Sequence, residues 1–226
     1  MGDLAERFRM ALIQMIPFIG AIVFHEVGHA YVAKRHGDTT AKDLGRLTLN
    51  PIPHIDPVGT LLFPMLNMIT GIPLMFGWAK PVPINYNRIK PYRRGLFLVS
   101  IAGPAANVIL AFVSAFFFVV IRLFVSREFY LYEPLDIMAQ VAIQINFMLA
   151  LFNLIPLPPL DGSRMLEAFL TIEQARKFEK MQTYSFIILI ALFWSGALSV
   201  FSGPINVLTS FFIGIWQFIF LKIIGA

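Results

Sequence analysis

MALIQMIPFIGAIVFHEVGHAYVA, residues 10–33, decides how the rest of the chain is read. Residues 10–24 carry no charge, and the apolar pattern continues to Ala33. A helix needs about 20 apolar residues to cross a bilayer, and this run supplies them. Yet three ionisable side chains, His25, Glu26 and His29, sit inside it. Such groups are expensive at membrane depth and are functional by default. One stretch therefore predicts both a membrane helix and a site of chemistry on it.

Composition extends the first reading to the whole chain. Of 226 residues, 58% are hydrophobic and 14% charged, with 23 phenylalanines; an ordinary soluble domain is about 25% charged. That much apolar surface excludes a disordered chain, a disulfide scaffold and a cytosolic globule. Cysteine is absent, so a metal site must use His, Asp or Glu. The net charge of +5 comes from short basic clusters between apolar runs, the pattern of membrane topology and not of nucleic-acid binding. Nothing points to an organic cofactor, and the first apolar run lacks a signal-peptide cleavage pattern. The expected fold is an all-α polytopic membrane protein in the cell membrane, with about five to six transmembrane helices. Residues 1–226 read as a single domain, with a motif-bearing core at about 8–170 and two accessory helices at about 182–224.

The further apolar runs are 57–79, 95–121, 137–160 and 182–221. The last is long enough for two spans, with Ser202-Gly203-Pro204 as its turn signal. Run 57–79 is broken by Gly59, Pro64, Gly71, Pro73 and Gly77 and either spans or re-enters. If it re-enters, only Arg7, Arg9, Arg122 and Arg127 lie outside, and 14 of 18 basic residues lie inside. The positive-inside rule favours that arrangement. Glycine and proline at depth also fit a re-entrant element lining a cavity.

On a helix, positions i and i+4 share a face. His25 and His29 can thus hold one metal ion, with Glu26 beside them to accept a proton from a water the metal activates. A catalytic zinc takes three protein ligands, and Asp161 is the candidate third. It follows Asn153-Leu154-Ile155-Pro156-Leu157-Pro158-Pro159-Leu160, whose prolines break a helix. From position alone an N-cap role for Asp161, opening a helix over 163–170, is the better reading. The re-entrant topology brings His29 and Asp161 to similar depth. His29 lies about 7.5 Å along the helix from Lys34, which puts the site within the membrane, nearer the cytoplasmic face.

With these residues in hand, the sequence resembles the site-2 proteases, the zinc intramembrane metalloproteases of the M50 group, in their compact prokaryotic branch. His25-Glu26-Val27-Gly28-His29, the segment from Asn153 to Asp161-Gly162, and Gly103-Pro104-Ala105-Ala106-Asn107 carry the likeness. So do Gly45-Arg46-Leu47-Thr48-Leu49-Asn50-Pro51, His54-Ile55-Asp56-Pro57-Val58-Gly59-Thr60 and Gly77-Trp78-Ala79-Lys80-Pro81-Val82-Pro83. The resemblance implies one Zn2+ per chain on His25, His29 and Asp161, with Glu26 as general base. It further implies Asn153 in substrate positioning, and cleavage of a transmembrane protein substrate within the lipid bilayer, as in regulated intramembrane proteolysis. The PDZ and CBS modules of many relatives are not expected here.

His54 reads either as substrate-facing or as a loop brace, and Asn153 either as substrate-binding or as a buried amide joining helices. Asn107 reads as helix packing, with Gly103 letting backbones approach. A substrate must be extended to be cut, and residues 45–56 and 80–86 are candidate strands for it to pair with. Two other classes compete with a protease: a catalytically silent membrane scaffold, and a metal transporter, which needs more acidic residues at depth than this chain has.

Overall fold

The computed structural model describes residues 2–71 and 79–224. Pro73, Gly77 and Trp78 of the motifs above lie outside the described residues. Four long helices form the body: α1 (Gly2–Arg35), α4 (Tyr92–Phe124), α5 (Tyr132–Asn153) and α8 (Ser202–Ile224). Short helices α2 (Thr40–Asp43), α3 (Phe63–Thr70) and α6 (Asp161–Glu167) fill the connections, and α7 (Ile172–Trp194), as long as α8 but charged in its first turns, precedes α8. No strand occurs among the described residues. The strands expected at 45–56 and 80–86 are instead bends, a 3-10 turn at Ile52–His54 and irregular chain leading to another at Tyr86–Arg88. Pro81 and Pro83 lack the N–H groups that a ladder needs.

Side-chain pairs fix the direction of each long helix. His25 meets Asn107, and His29 meets Val99, so α1 and α4 are antiparallel. Asn107 meets Asn146, and Arg122 meets Asp136, so α5 opposes α4 and runs with α1. Arg9 reaches Glu133 at 3.3 Å at the shared far end. Phe212 packs on Phe112, Trp216 on Phe112 and Phe116, and Phe220 on Phe116 and Phe124. Hence α8 runs in the same sense as α4.

That last direction corrects the expected topology. Because α8 starts at the end where α6 lies, α7 adds no net crossing. Among the described residues four helices are long and apolar enough to span, near the approximate five to six expected. In the 182–221 run the chain turns at Gly196, whose φ of 72° suits glycine. Pro204 instead sits in the first turn of α8, where its missing N–H costs nothing. The first turns of α7 carry Glu173, Arg176 and Lys177, which leaves a short apolar remainder. Lys222, grouped with the inner basic residues by sequence, lies at the Arg122 end.

The described ends of run 57–79 fit the re-entrant reading. Its flanks lie side by side, Lys80 N–H donating to the His54 carbonyl at 3.0 Å. Between them α3 reaches the far end, where Arg7 donates to the Ile69 carbonyl at 3.4 Å. Both flanks therefore return to the Lys34 end of α1. Leu61, Met65 and Ala79 pack against Met15, Phe18 and Ile22 of α1.

Small residues set the closeness of α1 and α4. A Cβ on Gly28 would stand 2.7 Å from the Ala102 carbonyl oxygen, so only glycine allows this approach. Ala111, Ala115, Phe118 and Val119 of α4 make the main core with Ala139, Ile143 and Phe147 of α5. Trp216 Nε1–H donates to the Phe112 carbonyl at 3.0 Å, tying α8 to that core.

Candidate metal centre

His25 and His29 stand one turn apart on α1, with Nε2 atoms 3.0 Å apart. Asp161, the first residue of α6, turns its Oδ2 to both, at 3.1 Å from His25 Nε2 and 3.2 Å from His29 Nε2. Leu160 holds the N-cap position of α6, so Asp161 is not the helix cap that position alone suggested. Three ligand atoms make a near-equilateral triangle. A tetrahedral zinc with ligands at 2.0–2.1 Å spaces them about 3.3 Å apart. Asp161 Oδ2 is buried and makes no hydrogen bond, an atom waiting for a cation. The residues fit one zinc ion.

The far side of each imidazole sets which nitrogen faces the triangle. His29 Nδ1 lies 2.7 Å from the Val99 carbonyl oxygen, which can only accept, so Nδ1 carries the hydrogen. His25 Nδ1 lies 2.7 Å from Asn107 Oδ1. The Asn107 amide is oriented by its own donations from Nδ2, to the Ala21 carbonyl at 3.0 Å and to Asn146 Oδ1 at 2.7 Å. Both Nε2 atoms thus face the centre of the triangle, the nitrogen that a metal would take in each ring. Gly103 makes room for this, since a Cβ there would stand 2.3 Å from His29 Nε2 and 2.6 Å from the His25 ring.

Asn107 therefore does more than the helix packing read from sequence. Its spacing of four from Gly103 was the available signal, because the two share one face of α4. Asn107→Leu is expected to weaken zinc binding 10–100-fold, the usual cost of losing a ligand-orienting partner. Titration against a competing chelator measures it; unchanged affinity would show that Val99 alone orients the pair.

Glu26 is half-buried and turns to the irregular 79–85 segment, where its Oε2 accepts the Val82 N–H at 2.7 Å. Asp38 holds the same segment farther along, accepting the Asn85 N–H at 2.7 Å. Burial alone would raise the Asp38 carboxyl. Hydrogen bonds from Thr40 and Asn85 outweigh it and keep the group below the ordinary carboxylate range. The segment is thus strung between two carboxylates beside the metal ligands.

His54 and Asn153 are not joined to the triad; the one metal-competent cluster among the described residues is His25, His29 and Asp161. His54 is 0% exposed, with Nε2 3.0 Å from the Thr48 carbonyl oxygen. Its Nε2 contact braces the loop, and its Nδ1 is buried without a hydrogen-bond partner among the described residues. Asn153, last in α5, donates from Nδ2 to the Leu149 carbonyl at 3.0 Å.

Comparison with known proteins agrees with this geometry. The model of "Peptidase family M50" matches residues 133–196, the stretch that delivers Asp161. The Bacillus subtilis (strain 168) protein named "Putative zinc metalloprotease YwhC" is 41% identical over 194 residues, covering 83% of this chain and 85% of its own. "Putative zinc metalloprotease Rip2" of Mycolicibacterium smegmatis is 31% identical over 183 residues, 79% of this chain and 65% of its own length. "Zinc metalloprotease MJ0392" of Methanocaldococcus jannaschii is 28% identical over 161 residues, 71% of this chain and 35% of that protein. No solved structure matches. A buried His-His-Asp triangle with both imidazoles primed to bind, in a chain this similar to YwhC over most of both lengths, leads to one conclusion: the protein belongs to peptidase family M50, and its cofactor is zinc.

Proposed function

We propose that this metalloprotease is an intramembrane endopeptidase that cuts a membrane-anchored substrate within its transmembrane segment. That is the reaction of regulated intramembrane proteolysis. The observation that carries the reading is depth: the ligand triangle lies along α1 between the Arg9 end and the Lys34 end of a membrane-spanning helix. The triangle's end of the bundle collects the basic residues, with only Arg7, Arg9, Arg122, Arg127 and Lys222 at the other. By the positive-inside rule the site then lies in the cytoplasmic half of the bilayer.

Zinc in such a site acidifies a water and polarises the scissile carbonyl. The protein's residues do the rest. His25, His29 and Asp161 hold the ion, and Asn107 and the Val99 carbonyl fix the two rings. Glu26 is the general base, taking the water's proton and passing it to the leaving amine. Val82 N–H steadies one of its oxygens and leaves the other for that transfer. At Asn153, one amide N–H and Oδ1 remain to meet the backbone of an unwound substrate.

The test is to incubate purified protein with a membrane-anchored reporter in proteoliposomes and to sequence the product ends. We expect one or a few cuts within the reporter's transmembrane segment, near its cytoplasmic end, abolished by 1,10-phenanthroline and restored by added zinc. Cuts confined to soluble flanks, or cleavage indifferent to the chelator, would overturn the reading.

A further inference from the structure

A cavity of about 580 Å³ opens behind α6, between the start of α4 and the first turns of α7. It is distinct from the zinc triangle. Arg93, Arg164 and Arg176 line it, with Glu167 as their one acidic neighbour there. Arg164 is spent on that neighbour, at 2.9 Å. Arg93 gives one N–H to the Leu170 carbonyl at 3.2 Å, and Arg176 has no carboxylate partner among the described residues. Among the described residues, two guanidinium charges are thus left without a counter-ion in one concave site of ordinary ligand size.

Its depth identifies the occupant. Arg93 lies six residues before Val99, the residue level with His29, so the cavity sits about 9 Å outward of the metal along α4. That is the level at which α1 ends in Lys34 and Arg35, the headgroup region in a bilayer. Apolar side chains share the lining, Leu170, Ile172 and Phe178 among them, and Ile172 is 76% exposed. Exposed guanidinium groups beside apolar lining residues match a phosphate carrying acyl chains, and basic pockets between membrane helices take such headgroups. An acidic peptide would meet the same charges but would have no use for the apolar lining.

We infer that this cavity binds the phosphate headgroup of an anionic phospholipid from the leaflet nearer the active site. The test uses delipidated full-length protein in neutral detergent, with binding of short-chain phosphatidic acid and phosphatidylcholine compared by native mass spectrometry. We expect at least tenfold tighter binding of phosphatidic acid. Combining R93Q with R176Q should cut that preference about tenfold while zinc content stays at wild type. Equal binding of the two lipids, or a preference untouched by the double variant, would overturn the inference. So would full displacement of the lipid by millimolar inorganic phosphate, which would make the site one for free phosphate. Displacement by an acidic peptide alone would reassign it to a protein ligand.

Discussion

Glu26→Gln is expected to abolish cleavage, with a loss of 10²–10⁴-fold or more, while zinc remains at about one ion per chain. The amide matches the carboxylate in size. Its Oε1 can accept the Val82 N–H that Glu26 Oε2 accepts now at 2.7 Å, so the 79–85 segment keeps its anchor. What goes is the carboxylate next in sequence to His25 of the candidate ligand triangle. The measurement pairs metal content with single-turnover cleavage of a membrane-anchored reporter. Retained cleavage would remove Glu26 from the proton path. An inactive wild type with full zinc would favour the silent scaffold.

The triad and the membrane character were legible in the sequence for a physical reason. Local rules carry them: an i, i+4 pair on one helix face needs no tertiary knowledge, and apolar length alone nominates a span. Asp161 needed topology as well, and the charge bias supplied it. What stayed hidden depends on how helices pack. Asn107 looks like any polar residue on an apolar helix until α4 is laid antiparallel to α1, when it meets His25 Nδ1 at 2.7 Å. The direction of α8 is equally unreadable, because a uniformly apolar helix fits either way; the stacking of Phe112, Phe116 and Trp216 decides it. His54 lies in a motif-rich loop whose sequence allows a substrate-facing role or a loop brace. In three dimensions it is buried under the returning chain at Lys80.

Asp161→Ala is expected to reduce zinc from about one ion per chain to a small fraction and to abolish cleavage with it. Two imidazoles alone leave a catalytic zinc one protein ligand short, and no other carboxylate or imidazole among the described residues joins the cluster. Loss of an orienting partner already costs 10–100-fold, so loss of a ligand should cost more. The same variant separates metal binding from folding. Leu160, not Asp161, holds the N-cap position of α6, and without zinc the alanine gives up only the contacts of Asp161 Oδ2 with the two imidazoles at 3.1 and 3.2 Å. Melting in the presence of a chelator should therefore differ little between variant and wild type. Added zinc should raise the wild-type melting temperature, since a ligand that binds only the folded state stabilises it by RT ln(1 + [L]/Kd). It should leave the variant where it was. A variant that takes up a full equivalent of zinc would move the third ligand elsewhere. A variant that melts early even in chelator would make Asp161 a structural residue of α6, and the zinc triangle would then need another origin for its negative charge.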